Sequence, residues 1–181
     1  MAEDGPSSHA DDRIVELTDG SRALIRPIEP SDRERLTKGF EEASDRAIFM
    51  RFLRPVKHLS SSQLDYLTAV DHDHHEALIA VDPETGRSFG TARYIRSDDD
   101  PDEAEFAVGL GDEWMGLGLG TALLAALVER GREAGIARFT GLVHPSNRAI
   151  RRLIDRVVGS HRVRNLEGNS LEIVFDLDSE S

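Results

Sequence analysis

Cysteine is absent from this sequence. Its absence excludes disulfide bonds, thiolate metal sites and a cysteine nucleophile. Apolar runs long enough to span a membrane are absent as well, and residues 1–12 are acidic where a signal peptide would be basic and then apolar. We therefore predict a cytoplasmic location and no membrane partner.

Basic residues are scarce relative to acidic ones. The chain has 22 lysines and arginines against 34 aspartates and glutamates, which gives a net charge of −12. A general nucleic-acid partner is not expected, because phosphate backbones require a basic surface. The charge is compatible with a cationic substrate, although by itself it mainly indicates solubility.

The length of 181 residues suits one domain with a core of ordinary size. Residues 1–12 have almost no apolar anchor and are predicted to be disordered, which leaves one domain at residues 13–178. Short apolar runs bounded by turn residues predict strands. These runs are 13–17, 23–26, 76–81, 91–95, 105–110, 137–143, 161–164 and 171–177.

Helices are predicted between these strands. Capping boxes at Ser31–Glu34 and Ser60–Gln63 mark two helix starts, and another short helix lies near Arg46–Leu53. Three short helices are more than a simple connection needs, so part of this region is expected to cover a substrate. The helix after Gly118 is apolar nearly all round and should be buried, whereas the helix after Asn147 is amphipathic.

Three glycines at alternate positions, Gly116, Gly118 and Gly120, separate a strand from the apolar helix. Glycine permits positive φ and lacks the Cβ that would hold a ligand away from the main chain, so backbone N–H groups are exposed at the positive end of a helix dipole. This pattern predicts a diphosphate site. A dinucleotide fingerprint would need a small residue at Thr121, and a P-loop would need a lysine after Gly120, so both rival motifs fail.

The segment Met115–Gly120 (MGLGLG) resembles the acetyl-CoA loop of the GNAT N-acetyltransferase superfamily, in which Gln or Arg usually stands where this chain has Met115. From about Asp19 to Gly159 the chain is similar to the catalytic domain of the bacterial Pat-type protein lysine acetyltransferases. The segments that carry this similarity are Ile25–Pro27, Met50–Pro55, Ala104–Val108 and Pro145–Arg148.

The resemblance implies an α/β domain (α+β in some schemes) with a mixed, mostly antiparallel sheet and helices on both faces. It also implies acetyl-CoA as cosubstrate, with the pantetheine arm lying along a strand like an added strand. The residues expected to bind acetyl-CoA are Val108, Gly109, Leu110, Met115, Gly116, Leu117, Gly118, Leu119, Gly120, Thr121 and Asn147.

Glu105 is the candidate general base. It shares its face of the strand with the small residues Ala107 and Gly109, which should leave space beside the carboxylate. A lysine amine, with a pKa of about 10.4, must lose a proton before it attacks a thioester. The resemblance to Pat-type enzymes implies the same role for Glu105, directly or through a water. The alternative is a structural ion pair between Glu105 and Arg93.

The favoured acceptor is a protein lysine, and a small-molecule amine is the first alternative. A non-catalytic CoA-binding module is the second. It is supported by Met115 and by Ile154, which holds the position of a tyrosine that protonates the leaving thiolate in many GNAT enzymes. The sequence leaves open whether the chain forms a homodimer.

Other polar clusters are ambiguous. Asp71–His75 (DHDHH) has the residue types of metal ligands, but no further ligand is fixed by spacing, so no metal is predicted. Ser97–Glu103 has five carboxylates in seven residues and is either a solvated loop or an electrostatic funnel for an ammonium group. The arginines of the last helix either meet CoA phosphates or balance charge. His144 ends a strand and could shuttle protons.

Overall fold

One eight-stranded sheet organises the computed structural model, which describes residues 11–178. The strands are β1 (Arg13–Glu16), β2 (Arg22–Pro27), β3 (His75–Val81), β4 (Ser88–Arg96), β5 (Glu103–Leu110), β6 (Arg138–Val143), β7 (Arg162–Leu166) and β8 (Ser170–Asp176). Their order is β1-β2-β3-β4-β5-β6-β8-β7, and only β5 and β6 run parallel. The predicted mixed, mostly antiparallel sheet is therefore confirmed. The predicted disorder of residues 1–12 lies, except for Asp11 and Asp12, outside the described residues.

Helices cover both faces of this sheet, as predicted. They are α1 (Arg33–Glu42), α2 (Asp45–Phe52), α3 (Ser61–Thr68), α4 (Leu119–Glu133) and α5 (Arg148–Val158). Strand β3 shows how the faces divide, because its side chains alternate between two apolar clusters. Leu78 and Ala80 pack in the cluster that contains α4 and α5, whereas Ala77 and Ile79 pack in the smaller cluster that Leu36 of α1 covers.

Helix α4 is the central buried helix. Its leucines at 119, 123, 124 and 127 are fully buried between the sheet and α5. The continuous apolar surface predicted from the sequence is thus explained by packing on two sides. No helix within residues 11–178 has both the length and the hydrophobicity that crossing a membrane requires.

The start of α1 differs from the prediction. The capping box is formed by Glu29 and Asp32 around a 3-10 turn at Pro30–Asp32, two residues before the predicted Ser31–Glu34 box. Asp32 is fully buried and accepts from Arg26 at 2.6 Å and from the Glu29 N–H at 2.9 Å. Burial opposes ionisation, but the Arg26 guanidinium keeps the pKa of Asp32 below its usual range. The second box, at Ser60 and Gln63, is confirmed.

Strands β5 and β6 separate after a short parallel contact. They pair only from Glu103 to Glu105 against residues 138–140. Beyond that point β5 stays paired with β4 as far as Leu110, while β6 stays paired with β8 as far as Val143. Within residues 11–178, the edge of β5 from Phe106 to Leu110 therefore has no strand partner on the β6 side. This leaves a wedge-shaped opening in the middle of the sheet.

Candidate functional site

The glycine loop between β5 and α4 has the left-handed backbone that its sequence predicts. Gly116 has a φ of 76° and Gly118, the N-cap of α4, has a φ of 90°. A Cβ on Gly116 would meet no atom within 4 Å, so the surface above this residue is open. The β1–β2 hairpin holds the loop in place, because the Thr18 N–H donates to the Leu117 carbonyl at 3.1 Å.

Backbone N–H groups of residues 116–121 are free to bind an anion. Within residues 11–178 none of them donates to a backbone or side-chain acceptor, and the first helical bond of α4 runs from the Ala122 N–H to the Gly118 carbonyl. They lie in the loop and the first turn of a helix of 15 residues, where the helix dipole adds positive potential. The loop can therefore hold a phosphate group.

The side chains of this loop differ in exposure. Leu119 is fully buried and can offer a ligand only its backbone, whereas Met115 is 50% exposed. Gly120 allows close packing, since a Cβ there would lie 3.3 Å from Leu110 Cδ1 and 3.4 Å from Leu153 Cδ2. The start of α4 is thereby held against the end of β5 and against α5, at the far end of the opening that begins at Glu105.

The opening between β5 and β6 contains a cavity of about 210 Å³. Glu105 and Val108 of β5, Met50 of α2 and Asn147 before α5 line it. The Asn147 Oδ1 accepts from the Ile150 N–H at 3.3 Å and so caps α5, which leaves the amide Nδ2 as the group that can donate to a ligand. An extended chain could therefore lie along the unpaired edge of β5 and reach Asn147.

Glu105 lies where this cavity meets a second one. The second cavity, of about 250 Å³, is bounded by α2, α3, β4 and β5, and it shares Glu105 with the first. The carboxylate is exposed, and within residues 11–178 it forms no ion pair with Arg93, which lies diagonally across from it on β4. The structural ion pair considered as an alternative is therefore not formed.

Two arginines that were not predicted as site residues, Arg51 and Arg93, line a cavity together with Glu105. A Cβ on Gly109 would lie 3.4 Å from Arg51 Cδ, so Arg51 of α2 occupies the space above Gly109, whereas Ala107 lines both cavities together with Glu105. The slot expected on that face of β5 is therefore closed at Gly109 and open beside Glu105. Burial lowers the pKa of Arg51, and the charge of Glu105 opposes the shift. The sequence offered one signal for Arg93, an arginine within an otherwise apolar strand.

His75 fixes the orientation of Arg93. Its Nε2 lies 3.0 Å from Arg93 Nη1, and burial together with the positive charge of Arg93 lowers the pKa of His75 to about 4. His75 is thus neutral at neutral pH and accepts from the guanidinium. The ring of Tyr66, which lines the second cavity, lies 5.0 Å from the His75 ring.

Protein stability should fall as the pH drops from 6.5 towards about 4, because the unfolded chain takes up a proton on His75 that the folded protein excludes. In a His75→Gln variant, whose amide oxygen can accept from Arg93, this part of the loss should disappear. Thermal unfolding at several pH values measures both proteins. Identical pH dependence in the two would show that His75 is not responsible.

Some side chains of the two polar segments, Asp71–His75 and Ser97–Glu103, form ion pairs or hydrogen bonds within the fold. Within residues 11–178, no three His, Asp or Glu side chains are grouped as a metal site requires. In the acidic loop, Asp100 and Glu103 pair with Arg138, while Asp98 and Asp99 are exposed. The funnel for an ammonium group stays a prediction.

Helix α5 carries four arginines, and His144 follows the end of β6 before this helix. The arginines of α5 form no ion pair within the described part of the chain, so contact with CoA phosphates stays a prediction; they are Arg148, Arg151, Arg152 and Arg156. Both His144 nitrogens have polar partners, Ser146 Oγ at 2.7 Å and Asn169 Nδ2 at 3.1 Å.

Ile154 is fully buried, and Tyr94 is buried with its pKa raised to about 12 by burial. Ile154 has no ionisable proton and Tyr94 is enclosed in the core, so neither of these two residues can protonate a leaving group.

Comparison with known proteins identifies the family. Residues 22–157 match the family model described as the acetyltransferase (GNAT) domain. The acetyltransferase Pat of Mycolicibacterium smegmatis is 31% identical over 143 residues, which is 79% of this chain and 43% of that protein. An acetyltransferase of Pseudomonas aeruginosa is 32% identical over 142 residues, 77% of this chain and 76% of that protein. The chain thus spans less than half the length of the first relative.

A solved structure gives the same result. The GNAT domain of S. lividans PAT superposes with a TM-score of 0.84 at 30% identity, over 94% of this chain and 99% of that domain. The superposition extends over nearly the whole chain. With the family model matching most of the sequence, the chain belongs to the GNAT acetyltransferase family, whose enzymes use acetyl-CoA as acetyl donor.

Proposed function

We propose that this chain transfers an acetyl group from acetyl-CoA to a primary amine, with a protein lysine as the favoured acceptor. One observation carries the proposal. The separation of β5 and β6 leaves an unpaired strand edge, with unpaired loop amides at one end and the exposed Glu105 carboxylate at the other. This arrangement suits a long ligand with a phosphate group at one end and a reactive group at the other.

The residues present fit acetyl-CoA. The amides of residues 116–121 would bind its diphosphate, and the backbone of Val108, Gly109 and Leu110 would bind the pantetheine arm together with Asn147. The open surface above Gly116 is the space that a Cβ would fill and a phosphate needs. Met115 offers an apolar side chain in place of a polar one, so the backbone carries the binding.

Acetyl-CoA supplies a thioester carbonyl and a thiolate leaving group. Glu105 accepts a proton from the ammonium group of the acceptor, directly or through a water, so that the amine can attack. Backbone N–H groups near Val108 or Gly109 stabilise developing charge on the carbonyl oxygen. The leaving thiol, with a pKa of about 8.5, can depart as thiolate and take its proton from water.

The protein lysine acceptor is supported by the resemblance to Pat-type protein lysine acetyltransferases. The second candidate, a small-molecule amine, is favoured by a different observation. A cavity of about 280 Å³ adjoins the Glu105 cavity beneath α1 and α2, and Phe40, Phe89 and Trp114 are among the residues that line it. An apolar group attached to an amine would fit there. A cytoplasmic location and a homodimer stay predictions.

Thermal unfolding with acetyl-CoA tests the proposal first. At a concentration of about 100 times the dissociation constant, a ligand selective for the folded state adds about 2.7 kcal/mol of stability. We therefore expect the melting temperature to rise by several degrees, and lysine peptides together with an amine panel should then release free thiol. No stabilisation would contradict the cofactor assignment, and stabilisation without thiol release would indicate a non-catalytic CoA-binding module.

A further inference from the structure

Arg51 and Arg93 line the same cavity as Glu105, on the side of β5 that faces α2 and α3. Asn147 lines only the other cavity of the two, whereas Arg51 and Glu105 line both. The cavity that contains Arg93 is therefore the acceptor side of the site, the cavity that contains Asn147 is the acetyl-CoA side, and Arg51 lies between them. Two guanidinium groups thus face the acceptor in a protein whose net charge is −12.

Arg93 is a buried cation whose hydrogen-bonding capacity is only partly used. The residue is 4% exposed, and its Nη1 donates to the Leu67 carbonyl at 3.2 Å and to His75. Its Nε is buried and has no partner within residues 11–178. Both of these partners are neutral, so the charge itself is not compensated. A buried guanidinium without a counter-ion is costly.

Arg51 adds a second cation to the cavity, and the Glu105 carboxylate opposes the effect of burial on its pKa. Its guanidinium carbon lies 5.0 Å from the centre of the Phe52 ring, and within residues 11–178 it forms neither a hydrogen bond nor an ion pair. Burial and then the positive charge of Arg51 lower the pKa of Arg93 to about 9. Both charges would be relieved by an anion placed between them.

Arg26, whose side chain is 12% exposed, has a carboxylate partner within the fold. The guanidinium of Arg26 meets the buried carboxylate of Asp32 in a two-pronged contact, at 2.6 and 2.8 Å. The chain contains 34 acidic residues, yet none of those described occupies the equivalent place beside Arg93. Arg26 and Asp32 complete each other within the fold, whereas Arg51 and Arg93 are left facing an accessible cavity.

We propose that Arg51 and Arg93 form a subsite for a carboxylate carried by the acceptor, close to the amine that Glu105 deprotonates. The inference rests on the proposed acetyltransferase function and names the chemistry of its acceptor. A guanidinium presents parallel N–H donors that match the two oxygens of a carboxylate.

The strand register sets the separation of Arg93 and Glu105 along the β4–β5 pair. Arg93 and Glu105 are diagonal neighbours on one face of the β4–β5 pair, because Ile95 is opposite Glu105 and Arg93 is opposite Ala107. Diagonal positions have Cβ atoms roughly 7–8 Å apart. An amine and a carboxylate separated by several bonds therefore fit. They could belong to a lysine with a neighbouring acidic residue in a protein, or to one amino-acid-like molecule.

Matched acceptors test the subsite and its source. At saturating acetyl-CoA, kcat/KM is measured for lysine peptides with Glu or Gln beside the lysine, and for free amino acids against their carboxamides. A charge-assisted bidentate contact is worth a factor of roughly ten to a hundred. We expect a preference of that size for the carboxylate member of one of the two pairs. A preference among peptides indicates a protein acceptor, and a preference among free amino acids indicates a small one.

Two variants separate the subsite from a structural role. Arg93→Met should reduce the preference to less than twofold without changing the stabilisation by acetyl-CoA. Arg96→Met is the matched control, because Arg96 lies on the same strand, donates to the Pro101 and Ala134 carbonyls and does not line the cavity. It should keep the preference. Equal rates for both members of each pair in the wild type, or an unchanged preference in Arg93→Met, would overturn the proposal.

A binding measurement keeps this test independent of turnover. Propionate, compared with propionamide at equal ionic strength, should raise the melting temperature of the wild type and not that of Arg93→Met. If acetyl transfer fails with every acceptor while this difference persists, the proposed function is wrong and the subsite stands. If acetyl transfer occurs without any carboxylate preference and propionate has no effect, the subsite is wrong and the function stands.

Discussion

Replacement of Glu105 by glutamine should lower turnover by roughly 10²–10⁴-fold, the usual contribution of a positioned general base. The amide keeps the size of the side chain but cannot accept the proton of an ammonium group. The carboxylate is exposed and, within residues 11–178, has no hydrogen-bond or ion-pair partner, so the variant should fold with unchanged stability. Initial rates at saturating acetyl-CoA and acceptor measure the loss, and thermal unfolding checks that acetyl-CoA still stabilises the variant.

Glu103→Gln is the matched control for Glu105→Gln. Glu103 lies two residues earlier on β5 and therefore on the same face, but its Oε2 accepts from Arg138 Nε at 2.8 Å, away from the cavities. Its loss should affect stability slightly and turnover by less than twofold. If Glu105→Gln were as active as the wild type, the amine would lose its proton elsewhere and Glu105 would have no catalytic role.

Gly116→Ala should weaken acetyl-CoA binding by roughly ten- to a hundredfold, the equivalent of one charge-assisted hydrogen bond. The new Cβ would stand in the open space where a phosphate needs to approach the main chain. It would also strain a backbone with a φ of 76°, which L side chains rarely adopt. Calorimetric titration with acetyl-CoA measures the change in dissociation constant.

Gly135→Ala separates strain from lost contact. Gly135 has a φ of 74°, almost that of Gly116, and a Cβ there would also meet nothing within 4 Å, but it lies beyond the far end of α4. Both variants should lose similar stability in the absence of ligand, and only Gly116→Ala should lose affinity. Equal affinities for the two variants would mean that the loop does not bind the diphosphate.

Much of the local structure could be predicted because it depends on neighbours in sequence. The turn at Thr18–Ser21 predicts the β1–β2 hairpin, and the continuous apolar surface after Gly118 predicts a buried helix. The glycine loop was also predictable, because positive φ and the absence of Cβ are properties of the residues themselves. The alternation of side chains in β5 correctly placed Glu105 on a face with Ala107 and Gly109.

Contacts between distant segments could not be predicted in the same way. Nothing in the sequence of β5 or β6 shows that their pairing ends at Glu105 while β6 stays paired with β8 as far as Val143. The space above Gly109 was expected to be empty, and only the packing of α2 on β5 brings Arg51 into it. The start of α1 was misplaced because Asp32 pairs with Arg26, which precedes it on β2.

We propose that the backbone amides of residues 116–121 bind the diphosphate of CoA. The most direct test is a nitrogen-proton correlation spectrum of the labelled protein, recorded during titration with acetyl-CoA and, separately, with acetyl-pantetheine, which lacks the diphosphate. We predict large shifts and slower hydrogen exchange for the amides of residues 116–121 with acetyl-CoA and little change with acetyl-pantetheine. Unchanged loop amides in the presence of bound acetyl-CoA would contradict the account.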